Sequence, residues 1–134
     1  MAREISTMGE KISPPARVLV VDDEALIRWS LNERLSSAGY EVHEAGDGAS
    51  ALNYFRDGAT RIDLVVLDLK LPDADGVDLL KKIKRLSPTC RVILMTAFGT
   101  PDKLVDARNN GAYDVVSKPF NLDKMLQAVE RALD

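Results

Sequence analysis

Four short apolar runs, rich in β-branched residues, recur along the chain: Val18 to Val21, Ile62 to Leu67, Val92 to Met95, and Val115-Val116. They are close to continuous rather than alternating, the pattern of strands covered on both faces in a parallel sheet. A weaker, alternating segment, Tyr40 to Ala45, lies between the first two. Amphipathic stretches separate them. Ile27, Leu31 and Leu35 repeat at four-residue spacing before Gly39, which predicts a helix over Glu24 to Ala38. Ser50 to Arg56 forms a short second helix. Leu79, Ile83 and Leu86 mark a third, ending before Pro88. Thr100 followed by Pro101 is an N-cap with proline at the first helical position, and Gly111 closes that helix. Asn121 caps a fifth, with Leu122, Leu126, Val129 and Leu133 on one stripe. The order βαβαβαβαβα predicts a doubly wound α/β sandwich with right-handed crossovers.

A chain of 134 residues has room for one such domain and no second. Residues 1–16 mix small, charged and proline residues without a period, so a flexible leader is expected there, with the domain spanning residues 17–134. The balance of 18 basic and 21 acidic residues gives a net charge of −3. That argues against direct nucleic-acid binding, which needs a basic face. One cysteine, Cys90, excludes an internal disulfide, and with one histidine, His43, no Cys/His zinc site can be assembled. No membrane span and no signal-peptide core is present, so the expected location is cytoplasmic.

The polar residues fall where the apolar runs stop. Val18 to Val21 ends in Asp22-Asp23-Glu24, Ile62 to Leu67 in Asp68, Val92 to Met95 in Thr96, and Val115-Val116 leads through Ser117 to Lys118. All strand carboxyl ends of a parallel sheet lie at one edge, where ligands bind. Three carboxylates, a hydroxyl and an ammonium therefore converge there if strands one, three, four and five lie side by side. Converging carboxylates need positive charge. Lys118 supplies one, and hard oxygen ligands without His or Cys indicate Mg²⁺ for the rest. Such a set has the parts for phosphoryl transfer, with a carboxylate as nucleophile.

In this order and spacing, Val-Val-Asp22-Asp23-Glu24, Val-Val-Leu-Asp68-Leu-Lys-Leu-Pro72-Asp-Ala-Asp-Gly76, Leu-Met-Thr96-Ala97 and Ser-Lys118-Pro119-Phe120 resemble the receiver domain of two-component response regulators. The resemblance covers Arg17 to Asp134. The wording around Thr96 and Gly111 is most similar to receivers of NtrC-type transcription activators. The resemblance implies a flavodoxin-like (βα)5 fold with strand order 2-1-3-4-5 and Asp68 as phosphoacceptor. It implies Mg²⁺ held by Asp23, Asp68 and the backbone carbonyl of Lys70, with Asp22 acting mainly through a bound water. Lys118 and Thr96 would contact phosphoryl oxygens, and Lys118-Pro119 would be cis. The implied partners are a sensor histidine kinase, an effector outside this chain, and a second copy through helix 4, strand 5 and helix 5. The domain would assist its own phosphotransfer and slow dephosphorylation without being an enzyme in the wider sense. Receivers often carry an aromatic residue where this chain has Val115, so Thr96 would signal through backbone movement or with Tyr113. Lys70 and Phe98 flank the pocket and would slow hydrolysis.

Each feature has a plainer explanation when taken singly. Asp22-Asp23-Glu24 would complement a helix dipole, Thr96 would be a strand residue and Lys118 a surface charge. Trp29 and the Leu/Ile stripes would pack in the core, His43 would be solvated, Cys90 would pack at a strand edge, and Asp73 and Asp75 would form turns. Four other readings remain. Gly46-Asp-Gly48-Ala-Ser-Ala51 satisfies a dinucleotide-binding pattern, though after the second strand and with Asp47 against the pyrophosphate. A Mg²⁺-dependent phosphohydrolase would want an aspartate where Lys70 stands. A non-phosphorylated interaction module would not need the complete acidic set, and a stand-alone receiver would act by docking to a partner.

Overall fold

The computed structural model describes residues 15–97 and 100–134. Nearly all of the expected leader and Phe98 lie outside the described residues. The elements are β1 (Arg17–Val21), α1 (Ala25–Ser37), β2 (Glu41–Ala45), α2 (Gly48–Arg56), β3 (Leu64–Asp68), α3 (Gly76–Leu86), β4 (Arg91–Thr96), α4 (Pro101–Asn109), β5 (Asp114–Ser117) and α5 (Leu122–Leu133). The strands form one parallel sheet in the order β2-β1-β3-β4-β5, as expected.

Side chains alternate between two cores. Leu19, Val21, Val65, Leu67, Val92 and Leu94 pack under α2, α3 and α4. Val18, Val20, Leu64, Val66, Ile93 and Met95 pack under α1 and α5. Both faces of the central strands are thus covered, which is why their sequences run apolar without alternation. Each fully buried leucine or valine contributes ~1.5–3 kcal/mol relative to exposure. β1, β3 and β4, which lead to Asp22, Asp68 and Thr96, are therefore the best-anchored strands, while β5, which leads to Lys118, is only partly buried.

Local chemistry sets the helix ends. Asp47 accepts from the Ser50 N–H at 2.7 Å, which starts α2 two residues earlier than the apolar pattern indicates. Asp75 caps α3 through Val77 and Asp78, Thr100 caps α4 with Pro101 following, and Asn121 caps α5. Gly39 and Gly111, both at φ 101°, follow the ends of α1 and α4. β3 begins at Leu64 rather than Ile62; Asp63 just before it donates its N–H to the Arg17 carbonyl at 2.9 Å, accepts the Arg91 N–H on its own carbonyl at 3.1 Å, and takes the Arg17 N–H on its carboxylate at 2.8 Å.

Several packing expectations are corrected. Trp29 is 60 % exposed, because α1 buries only Leu31 and Leu35 completely. Leu86 and Leu122 are also exposed; they sit at the last and first residues of their helices. The α5 face that meets the sheet is Met125, Leu126, Ala128, Val129 and Ala132, shifted from the expected stripe. His43 is half-buried rather than solvated, because it shares a face of β2 with Glu41, bonds it at 2.7 Å, and meets the Tyr54 ring edge-on. Cys90 is buried in the core, and burial pushes its thiol up to about 12, leaving it unionised at neutral pH. Among the described residues, no helix is long and apolar enough to cross a membrane.

Candidate functional site

Four of the five strands, β1, β3, β4 and β5, deliver one polar group each at the carboxyl edge of the sheet. Asp22 follows β1 and is fully buried, Asp68 ends β3 and is buried, Thr96 ends β4 and is buried, and Lys118 follows β5. The Lys118 Nζ donates to Asp22 Oδ2 at 2.8 Å and to Asp68 Oδ2 at 3.2 Å, and lies 3.8 Å from Glu24 Oε1. One ammonium therefore bridges two carboxylates from two different strands. The Lys118-Pro119 peptide bond is cis, and the Lys118 N–H donates to the Thr96 carbonyl at 2.8 Å. These contacts join the start of the β5–α5 connection to the end of β4.

The carboxylates differ in how much of their bonding capacity is already used. Asp22 Oδ1 accepts the Glu24 N–H at 2.8 Å while Oδ2 takes Lys118, so both oxygens are engaged. Asp23 is exposed, and its carboxylate makes no hydrogen bond or ion pair among the described residues. Asp68 Oδ1 has only a long contact from the Lys70 N–H, at 3.4 Å. One oxygen each from Asp22, Asp23 and Asp68 lie within 4.8 Å of one another. Burial, then the charge of Asp22, raise the Asp68 carboxyl above its ordinary range, with Lys118 opposing. Burial would lower the Lys118 ammonium, but bonding and charge from Asp22 and Asp68 outweigh it and hold its value up. The all-oxygen donor set, with uncompensated negative charge, suits a hard divalent cation.

The loop after Asp68 is held from several sides. Lys70 pairs with Asp75 in an isolated antiparallel bridge, and the Gly76 N–H donates to the Leu69 carbonyl at 2.7 Å. A Cβ at Gly76 would sit 2.7 Å from that same carbonyl oxygen, so only glycine fits there. Lys70, Leu71, Pro72, Thr96, Ala97, Lys103 and Lys118 line a cavity of about 620 Å³ above Asp68 and Asp23. Val115 is half-buried on the α2–α4 side. Tyr113 precedes β5, at the opposite end of the sheet, where its hydroxyl donates to the Arg131 carbonyl at 3.3 Å and its ring lies under Arg91. It does not reach Thr96's end of the sheet.

The sequence of residues 18–130 matches the response regulator receiver domain profile. The chain belongs to the response regulator receiver domain family. Sporulation initiation phosphotransferase F of Bacillus subtilis is 38 % identical over 117 residues, covering 87 % of this chain and 93 % of that protein. The transcriptional regulator NtrC of Azospirillum brasilense is 37 % identical over 119 residues, covering 89 % of this chain but 24 % of its own length. Among solved structures, the beryllofluoride-activated NtrC4 receiver domain dimer superimposes with a TM-score of 0.82 at 37 % identity, covering 87 % of this chain and 95 % of that one. This receiver thus spans nearly all of one relative and a quarter of another.

Two contributors to the receiver's site escaped the sequence reading. Arg28 of α1 donates to the Asp22 carbonyl at 2.7 Å and to Glu44 of β2 at 3.2 Å, tying the acidic β1–α1 loop to its neighbours. Asn32, one turn on, donates to the other Glu44 oxygen at 2.7 Å. Asp73 does more than form a turn: it accepts the Gly48 and Ala49 N–H groups at 2.7 and 3.1 Å, capping α2 from the β3–α3 loop. The glycine pattern at Gly46-Asp-Gly48 is therefore filled by this chain's own carboxylates. The i, i+4 placement of Arg28 after Glu24 was visible, but its partner Glu44 lies 16 residues away and carried no local signal.

Proposed function

We infer that this receiver takes a phosphoryl group onto Asp68 from a phosphohistidine of a sensor histidine kinase, with Mg²⁺, and uses it to control an effector. The observation that carries this reading is the Lys118 bridge between Asp22 and Asp68, beside an exposed Asp23 whose carboxylate has no partner among the described residues. Asp23, Asp68 and the backbone carbonyl of Lys70 would hold Mg²⁺, with Asp22, both of whose oxygens are engaged, acting through a bound water. Bound there, the cation would neutralise charge on the transferring group.

In the step itself, an Asp68 oxygen attacks phosphorus in line. The P–N bond breaks, its electron pair stays on the imidazole nitrogen, and an O–P bond forms on Asp68. Lys118 stabilises the phosphoryl oxygens from the position it already occupies. Thr96, at the end of the adjacent strand, donates to another. Water later cleaves the acyl phosphate, and Lys70, which lines the cavity, slows its approach. The output surface is α4, β5 and α5; formation of a homodimer is supported by the dimer named for the NtrC4 receiver, and this face is where it would form. Regulation of transcription is supported by the similarity to NtrC. The acidic balance leaves DNA contact to another domain.

Calorimetry with beryllofluoride and Mg²⁺ tests this. One-to-one binding by the native protein, lost in Asp68→Asn, is the expected result; equal binding by the variant contradicts it.

A further inference from the structure

The wall of the cavity over Asp68 holds three lysines with different commitments. Lys118 is bound to Asp22 and Asp68. The ammonium groups of Lys70 and Lys103 make no hydrogen bond or ion pair among the described residues, yet both residues line the cavity. Lys103 stands in the first turn of α4, its backbone N–H capped by Thr100, and is exposed.

Charge decides what these lysines meet. Asp22, Asp23, Glu24 and Asp68 gather around Lys118 at the sheet edge, four carboxylates to one ammonium, so a divalent cation would still leave one negative charge. Phosphorylation replaces one negative charge on Asp68 with nearly two and adds three acceptor oxygens. Nearly two negative charges are then left over, and an ammonium on the cavity wall that makes no other pair among the described residues can offset one of them.

The two lysines differ in what pairing would move. Lys70 sits in a loop pinned by the bridge to Asp75, by the Gly76–Leu69 hydrogen bond and by Asp73 on the α2 N-terminus. An ion pair there displaces little. Lys103 sits on the helix with the weakest hold on the core: α4 buries only Ala107, whereas α3 and α5 bury five residues each. Val105 of α4 is 57 % exposed. An element with so little buried surface shifts at small cost.

We propose that Lys103 is the side chain through which α4 responds to phosphorylation, by pairing with a phosphoryl oxygen on Asp68 and drawing the first turn of the helix toward the cavity. The proposal rests on Asp68 being the phosphoacceptor. It assigns the coupling between site and output face to an ammonium on α4 itself.

The test compares backbone amide NMR spectra of the ¹⁵N-labelled protein before and after adding beryllofluoride with Mg²⁺. In the native protein the amides of Leu69 and Lys70 and those of Leu104 to Ala107 shift. In Lys103→Gln the Leu69 and Lys70 shifts remain, while the α4 shifts fall below half their native size. Lys103→Arg restores them, and Lys70→Gln leaves them at native size. Full α4 shifts in Lys103→Gln overturn the proposal. If Leu69 and Lys70 fail to shift in the native protein, the assignment of Asp68 fails first, and the proposal with it.

Discussion

Three carboxylates share one ammonium at the edge of the sheet, and Asp68 is the member whose charge the fold resists. Its carboxyl is raised by burial and by Asp22. A carboxyl that holds its proton more tightly in the native state than in the unfolded chain costs stability once ionised; the cost is full above the raised native value and fades as pH falls below it. Asp68→Asn should therefore melt a few degrees higher than the native protein at pH 7 in metal-free buffer. Adding Mg²⁺ should stabilise the native protein and narrow that gap, since a ligand that binds only the folded state stabilises it. A variant that melts lower without metal would show that Lys118 gains more from Asp68 than burial and Asp22 take away. Residue identity at the strand ends was fully visible in the sequence, because Asp22, Asp68, Thr96 and Lys118 each interrupt an apolar run. What each carboxylate does with its second oxygen was not, because that depends on backbone N–H groups and on Lys118 arriving from 50 and 96 residues away.

Elements are placed by links that reach across the chain. Asp73 fastens the loop after β3 to the first turn of α2, and the Gly48 and Ala49 amides hold its carboxyl below the ordinary value of 3.8. A depressed carboxyl contributes stability above its unfolded value and loses it as pH falls through the native one. Thermal melts of Asp73→Asn should thus lie below the native protein by a constant margin from neutral pH down to the ordinary carboxylate range, and the margin should close below it. A margin unchanged in acid would mean that the carboxylate charge contributes nothing at the α2 terminus. The helix caps at Asp47, Thr100 and Asn121 are local and could be read from the sequence, as could Gly39 and Gly111. Asp73 could not, because a cap supplied from another loop has no fixed spacing. Periodicity also misplaced Leu86, Leu122 and Trp29: it marks which residues share a stripe, not how far along a helix the sheet beneath extends.

For the whole molecule, the order of apolar runs was enough to specify a sheet buried on both faces, and that sheet gathers its polar ends at one edge. The two cores divide by strand parity, with α1 and α5 on one side and α2, α3 and α4 on the other. The side holding α5 is firmly packed, while α4 on the other is anchored by Ala107 alone. Such a layout keeps the chemistry on rigid strands and leaves a neighbouring helix free to respond. The dinucleotide reading drew on a glycine pattern that was present, yet here Gly48 gives Asp73 room to approach, since a Cβ would lie 3.2 Å from its Oδ1. Whether the edge of this sheet makes Asp68 a phosphoacceptor is decided by intact-protein mass spectrometry after incubation with acetyl phosphate and Mg²⁺. The native protein should gain one phosphoryl group, located to the peptide carrying Asp68, absent without Mg²⁺ and absent in Asp68→Asn; an equal gain of mass in that variant would rule Asp68 out.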